Sequence, residues 1–440
     1  MMRLKQENQS SIRKIIYLRG PVLRSSIAED LHLTLPTITT NVNAMLQSGI
    51  LFEDRDNVVM TPGRSALPVD IVPNSRYFIG VEITQLSRSV CICNYRGAIV
   101  YTSIDNTMYK EYDEVLQSTA GLVQAALQST VVSSNRIYGI GVCLPGLIDS
   151  EAGKLLAHRQ FGWYDKDIVS DLRLLTGYTG PITIENDASA RALAAQLFLR
   201  DQLKEVPSFF YLYVSIGIAS PFVRNDFSLS SSPVGAGELG YMIMDPKMPF
   251  GTWGSTGSLN NLAGIRALKE QAQAAAISGR APYLYSLCGD ALPTETQLMD
   301  SATHDEVIDE LIRDVILYLG VAIANEDNLV RPKCILVDAP YFVHQKYRDL
   351  FMDTLYKYSF HPSSFRFHII FLNRDELPGA KSAAAVAIRS DFDILLYNVN
   401  RTKNSILTSN KNTDPGNKFS FRISVFFIST ILRFCGYFSP

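Results

Sequence analysis

The chain has 440 residues, of which 47% are hydrophobic and 19% are charged, and its formal net charge is −2. A chain of this length can bury two or three separate cores. The near-zero charge excludes a general polybasic field for nucleic acid or membranes, so any DNA contact must be local. Six scattered cysteines match neither a zinc pattern nor a disulfide scaffold. The polar N-terminus, which shows no signal peptide, favours a cytoplasmic location.

Three helices are predicted at the start of the chain. Apolar residues at helical spacing indicate a helix over residues 8–19, which the Gly-Pro pair at 20–21 stops. A short second helix is predicted over 24–31. The third helix is predicted over 34–47, where Thr34 serves as its N-cap and an apolar stripe continues to the end.

Two short strands, over 50–52 and 57–60, are predicted to form a hairpin. They complete the pattern of a winged helix-turn-helix in residues 1–70, with a generic three-helix bundle as the alternative. The helix over 34–47 is then the one offered to the major groove. The candidate DNA contacts are the N-cap residue, four polar residues expected on the exposed face of this helix, and two arginines: Thr34; Thr37, Thr39, Thr40 and Asn41; Arg24 and Arg64. The helix itself carries no lysine or arginine, so phosphate contacts are few and dimerisation is expected to supply affinity.

The central stretch of the chain, residues 137–192, contains two apolar strands that each become abruptly polar where they end. Open α/β sheets bind ligands at the carboxyl ends of their strands. Asn186 and Asp187 lie at such an end. They are expected to cap the following helix, over 187–200, and the same carboxylate can also face a bound polyol.

The motifs GIGVCLPGLID, FGW, IENDAS and GELGYM together resemble the ROK family, which contains sugar kinases and sugar-responsive repressors. The resemblance covers about residues 8–395 and extends to the N-terminal domain of the family's repressors, which its kinases lack. It implies a two-lobed, actin-like (RNase H-like) α/β sugar-kinase core over 71–395 behind the winged helix. Residues 396–440 fall outside it and are predicted to be a disordered or poorly structured tail. The apolar run within this tail is interrupted by arginines and is too short for a membrane span.

The resemblance also implies that the kinase equipment is degraded. Asp187 occupies the position of the family's catalytic base, but both glycine-rich phosphate loops are altered, over 82–86 and 216–221. Side chains and a proline at these turns prevent the close backbone approach that phosphate needs. The adenine-site glycines are replaced over 338–340. No kinase activity is predicted, and a ROK sugar kinase is the alternative.

The family's zinc ligands are all replaced in this chain, by Tyr241, Gly251, Trp253 and Ser258, so neither a metal nor another cofactor is predicted. Of the family's sugar contacts, Asn186, Asp187 and Glu238 are retained, whereas Tyr241 replaces a histidine and Asn260 replaces a glutamate. Gly146 is also assigned to the sugar site. The loop Phe161–Trp163 resembles the lid of the family's sugar pocket, and a tryptophan packed in the core is the alternative.

These features predict a cytoplasmic DNA-binding transcriptional regulator, expected to repress carbohydrate-metabolism genes. The expected partners are a palindromic double-stranded operator, a small neutral or acetylated sugar as effector, and further copies of the chain in a homodimer or homotetramer. A ligand-independent DNA-binding or scaffold protein remains open, because two of the five polar sugar contacts have changed.

Overall fold

The computed structural model describes residues 2–392 except 62–63, 85, 160, 226–232, 249–256, 363 and 374–375. Three helices begin the chain: α1 (Met2–Arg19), α2 (Arg24–Leu31) and α3 (Leu35–Gln47). Four short strands follow: β1 (Leu51–Glu53), β2 (Val59–Thr61), β3 (Arg64–Ala66) and β4 (Val69–Ile71). The predicted helices are present, although α1 begins six residues earlier than the sequence indicated.

The pairing of the wing differs from the prediction. Strand β1 pairs antiparallel with β4, and β2 pairs with β3, so the predicted hairpin between 50–52 and 57–60 is wrong. Leu51 lies opposite Ile71, and both side chains are buried with the helices. Burial of apolar side chains selects this distant partner, because a strand pairs where its buried face meets a matching one.

The first lobe contains a five-stranded sheet, a small three-stranded sheet and four helices. In chain order these elements are β5 (Tyr77–Ile83), β6 (Arg88–Asn94), β7 (Ile99–Asp105), α4 (Tyr112–Gln128), β8 (Ile137–Leu144), β9 (Leu147–Asp149), β10 (Lys154–His158), β11 (Trp163–Lys166), α5 (Ile168–Thr176), β12 (Ile182–Asn186), α6 (Asp187–Phe198) and α7 (Arg200–Leu203). The large sheet has the order β12-β8-β5-β6-β7, with β5, β8 and β12 parallel. The helix predicted over 187–200 therefore ends at Phe198 and a separate short helix follows.

The second lobe is built around another mixed sheet, β14-β13-β16-β17, with β15 on β13. Its elements in chain order are β13 (Ser208–Val214), β14 (Ile218–Ala219), β15 (Phe222–Arg224), α8 (Leu259–Ala263), α9 (Ile265–Ile277), α10 (Pro282–Cys288), α11 (Glu295–Ser301), α12 (Glu306–Val330), β16 (Cys334–Asp338), α13 (Gln345–Tyr358) and β17 (Ile369–Phe371). A final helix, α14 (Gly379–Asp391), returns to the first lobe. Residues 393–440, including the predicted tail, lie outside the described residues.

Helix α14 packs very closely on the first sheet, and two glycines in the strands allow this approach. A Cβ on Gly80 would lie 1.8 Å from the carbonyl oxygen of Ala380, and one on Gly141 would lie 1.9 Å from that of Ala383. The alanine-rich sequence of α14 keeps its own surface equally flat. The helix therefore lies almost backbone to backbone on β5 and β8. None of the helices in the described part of the chain has the length and apolar character needed to cross a membrane.

Candidate functional site

Helix α3 has the geometry of a recognition helix. Thr34 caps its N-terminus in extended conformation, and its Oγ1 accepts a hydrogen bond from the backbone N–H of Thr37 at 3.4 Å. Pro36 occupies the first turn, where no N–H is required. One face of α3 is buried through Ile38, Val42 and Met45. The opposite face is exposed at Leu35, Pro36, Thr40, Asn43 and Gln47, with Thr37 and Thr39 half-buried.

Two of the predicted DNA contacts are not free to meet a groove. Asn41 is buried, and its Nδ2 donates to the carbonyl oxygen of Thr37 at 2.9 Å, so its expected exposure is wrong. The position follows Ile38 by three residues and therefore shares the core-facing stripe. Arg24 donates to the carboxylate of Glu53 at 2.7 Å, which engages its guanidinium. The backbone of Arg64 lies in β3, but its side chain is outside the described residues.

The helical domain is fixed to the core by a buried carboxylate at the end of α14. Asp391 accepts hydrogen bonds from Arg76 and from the hydroxyl of Tyr95. The guanidinium of Arg13, in α1, lies 3.6 Å from the same carboxylate and donates to the Asp391 carbonyl oxygen at 2.9 Å. Burial disfavours the charge on Asp391, but Arg13 and Arg76 outweigh it and lower the pKa of the carboxyl. The end of α14 is thus bound directly to the first helix.

A cavity of about 450 Å³ lies between the ends of strands from both lobes. It contains every residue that the sequence assigned to the sugar site: Gly146, Asn186, Asp187, Glu238, Tyr241 and Asn260. The remaining wall includes Thr84 from the first lobe and Ser215–Ala219 from the second. The cavity therefore brings these predicted residues together, as expected for strand ends facing a cleft.

The two asparagines of the cavity are already used in the fold. The Oδ1 atom of Asn186 accepts from the backbone N–H groups of Ala188 and Ser189, and its Nδ2 donates to the carbonyl oxygen of Gly146 at 3.1 Å. Asn186 is therefore the N-cap of α6, and Asp187 is the first residue of that helix. Similarly, Oδ1 of Asn260 accepts from the backbone N–H of Ile218 at 2.9 Å. These carbonyl oxygens hold the walls of the cavity in place.

Two carboxylates, those of Asp187 and Glu238, also line the cavity. Burial raises the pKa of Asp187 to about 6, with Glu82 adding to the effect and Arg191 opposing it. Burial also raises the pKa of Glu238 to about 7, and the negative charge of Asp187 contributes. Ionisation of either carboxyl group is therefore unfavourable in this cavity, because burial and the nearby negative charge disfavour it. A ligand that donates hydrogen bonds to them would offset this cost.

His158, the last residue of β10, also lines the cavity, although no sequence motif marked it. Its ring stacks on Phe161 with the centroids 4.0 Å apart. Trp163 of the same loop is only 5% exposed and packs against Tyr112 at 5.2 Å. The tryptophan thus lies in the core of the first lobe rather than over the cavity. The signal available in the sequence was a histidine at a strand end, next to the aromatic loop.

Comparison with known proteins decides the family. A model of the ROK family matches residues 78–366, which is more than half of the 440-residue chain. The chain belongs to the ROK family. The resemblance drawn from its sequence motifs is therefore confirmed.

Among its relatives are several named repressors. The chain is 23% identical over 336 residues to a putative xylose repressor of Caldicellulosiruptor sp., covering 76% of this chain and 83% of that protein. It is 22% identical over 343 residues to the DNA-binding transcriptional repressor Mlc of Escherichia coli, covering 77% and 82%.

Solved structures confirm the predicted fold class. A ROK family transcriptional regulator, described as a homologue of the Escherichia coli MLC protein, aligns with a TM-score of 0.72 at 20% identity and covers 89% of this chain and 98% of that one. The ROK family glucokinase of Streptomyces griseus aligns with a TM-score of 0.60 at 18% identity, covering 71% and 99%. The core is thus shared by ROK regulators and ROK kinases.

Around the position of the first ROK phosphate loop, this chain has a side-chain-stabilised turn and a buried ion pair. The hydroxyl of Thr84 accepts from the backbone N–H groups of Leu86 and Ser87. Glu82, just before the turn, pairs with Arg191 at 2.7 Å. The guanidinium of Arg191 also lies 4.7 Å from the ring centre of Tyr213, in the second lobe. An internal cation thus neutralises the acidic residue at this end of the cleft.

Of the four ROK zinc positions, two lie outside the described residues, at 251 and 253. Tyr241 is 43% exposed, with the guanidinium of Arg159 5.8 Å from its ring centre. Ser258 is buried and bridges to Ile243. The described residues contain no group of three His, Cys, Asp or Glu side chains suited to a metal ion. The absence of zinc stays a prediction.

Proposed function

We propose that this ROK protein is a DNA-binding transcriptional repressor of carbohydrate-metabolism genes, which acts in the cytoplasm and responds to a small sugar in its cleft. The observation that carries the proposal is the winged helix-turn-helix with its capped, exposed α3, attached to a ROK core. The relatives named as repressors align over about three quarters of this chain, which supports the same role.

The operator is proposed to be a palindrome bound by a homodimer or homotetramer. The described exposed face of α3 presents threonine, asparagine and glutamine rather than lysine or arginine. One domain therefore gains little from phosphate neutralisation, which supplies most nonspecific affinity. Two recognition helices on half-sites one or more helical turns apart would combine two weak contacts into one useful affinity.

The proposed effector is a small sugar held by Asp187 and Glu238. Helix α14 is suited to connect this site with the DNA-binding domain, because its two ends meet different parts of the molecule. Gly379 at its start packs against the carboxylate of Glu82, near the cleft, whereas Asp391 at its end binds Arg13 of α1. A shift of α14 on ligand closure would move α1, and linkage requires DNA to change sugar affinity by the same factor.

The test combines DNA selection with effector screening. Purified protein would be used to recover genomic fragments, which are then footprinted and titrated with D-xylose, D-glucose and N-acetyl-D-glucosamine. A two-fold symmetric footprint whose affinity falls with one sugar is expected. Protection of a single asymmetric half-site would contradict the dimer, and unchanged DNA affinity in every saturating sugar would favour the ligand-independent regulator. Asp187→Asn is the control, since it should remove the sugar response and keep DNA binding.

A sugar kinase is the second candidate function, and the position of Asp187 at the start of α6 favours it. A pKa of about 6 suits a general base near neutral pH. Phosphoryl transfer, however, depends mainly on holding and neutralising the phosphates. Here Pro221 removes one backbone N–H donor from the second phosphate loop. Arg191 forms an ion pair with Glu82, just before the first phosphate loop. We therefore propose that kinase activity is absent. Sugar-dependent ATP turnover that disappears in Asp187→Ala would overturn this part of the proposal.

A further inference from the structure

His158 is a buried polar side chain in the wall of the cavity with an unused nitrogen. The residue is only 4% exposed. Its Nδ1 accepts a hydrogen bond from the backbone N–H of Phe161 at 3.2 Å. Its Nε2 has no hydrogen-bond partner among the described residues. A buried N–H without an acceptor is unfavourable, and a bound oxygen atom would supply that acceptor.

The hydrogen bond at Nδ1 fixes the tautomer of the ring. Because Nδ1 receives a hydrogen from a backbone donor, the single ring proton of the neutral imidazole must be on Nε2. Burial lowers the pKa of His158 to about 4, so the ring is uncharged near neutral pH. His158, a residue of the cavity wall, thus carries a neutral N–H donor on a ring that is held in place by a backbone hydrogen bond and by stacking on Phe161.

The same cavity contains two carboxylates that only accept when they are ionised, Asp187 and Glu238. We propose that His158 is a specificity-determining residue of this cavity, where its Nε2–H donates to an oxygen of an uncharged polyol whose hydroxyls donate to Asp187 and Glu238. The inference rests on the proposed function, because it refines the nature of the sugar that the cleft binds.

The charges around the cavity disfavour a phosphorylated sugar. Asp187 and Glu238 are both acidic, and the positive charge of Arg191 is already paired with Glu82 at 2.7 Å. Arg159 also lines the cavity, but its side chain is exposed and lies over the ring of Tyr241. A phosphate dianion would therefore meet two carboxylates and an uncharged imidazole, whereas a hydroxyl can both donate to the carboxylates and accept from His158.

Calorimetry on the full-length protein tests the proposal with D-xylose, D-glucose, N-acetyl-D-glucosamine and D-glucose 6-phosphate as probes. His158→Phe retains an aromatic ring on Phe161 but has no N–H, and it should weaken binding of the best neutral sugar about tenfold. His158→Gln, whose amide can donate, should recover part of the loss. D-glucose 6-phosphate should bind more weakly than D-glucose. His304→Phe, at an exposed histidine stacked on Tyr283, is the matched control.

A second readout does not depend on the size of the substituent. In ¹⁵N-labelled wild-type protein at neutral pH, the His158 ring should show the Nε2–H tautomer, and the saturating sugar should shift that N–H resonance. Equal affinities of the wild type and His158→Phe, or an unmoved resonance, would overturn the inference alone. Tighter binding of the sugar phosphate would overturn the proposed ligand class. Failure of the wild type to bind every probe at millimolar concentration would overturn the effector part of the proposed function as well.

Discussion

Replacing Glu238 with glutamine should stabilise the unliganded protein while weakening sugar binding. Its pKa of about 7 lies roughly 2.5 units above the ordinary value of 4.5. Each unit corresponds to about 1.36 kcal/mol, so ionising the carboxylate costs at most about 3.4 kcal/mol of folding free energy. Glu238 is partly accessible to solvent, and screening reduces this to about 1–2 kcal/mol. Glutamine has a similar shape and no charge, so it should recover that amount.

The pH dependence distinguishes this cause from a packing effect. A carboxylate with a raised pKa destabilises the fold fully above pH 7, and the penalty declines as pH falls towards 4.5. Urea unfolding should therefore show Glu238→Gln to be more stable than wild type at pH 8 and nearly equal to it at pH 5. Glu205→Gln, at an exposed carboxylate, is the control. A gain of the same size at both pH values, or no gain at pH 8, would refute the reasoning.

Three further predictions concern the DNA-binding domain and the ion pair beside the cleft. Asp391→Asn should lower the free energy of unfolding by about 3–5 kcal/mol, because two buried arginines lose their counter-charge, and limited proteolysis should then release the helical domain. Asn43→Ala should weaken operator binding in footprint titrations at unchanged melting temperature, whereas Asn41→Ala should lower the melting temperature. Arg191→Met, which leaves the largely buried carboxylate of Glu82 without its partner, should lower the free energy of unfolding in urea by about 3–5 kcal/mol.

Local patterns predicted the helices well and the strand pairing less well. The bounds of α2, residues 24–31, agree with those predicted, because helical periodicity is encoded within the segment itself. The predicted pairing of the wing strands was wrong. Strand β1 pairs with β4, across two intervening strands, and the sequence of a short strand does not specify so distant a partner. The burial of Asn41 could have been predicted, because it follows the core residue Ile38 by three positions and so lies on the same face of the helix.

The sequence predicted which residues line the cavity, but it did not predict which of their atoms are free to bind a ligand. Every sugar-site position drawn from the family resemblance lines one cavity, yet the carbonyl oxygens of Asn186 and Asn260 are already bound to backbone N–H groups. A sequence motif records which residue stands at a strand end, and the fold decides which of its atoms remain for a ligand. His158 is the opposite example, because no motif marks it. The structure alone shows that this residue lines the cavity and that its Nε2 atom has no partner among the described residues. The proposed sugar site therefore predicts that Asp187, Glu238 and His158 should dominate any mutational scan of the cavity.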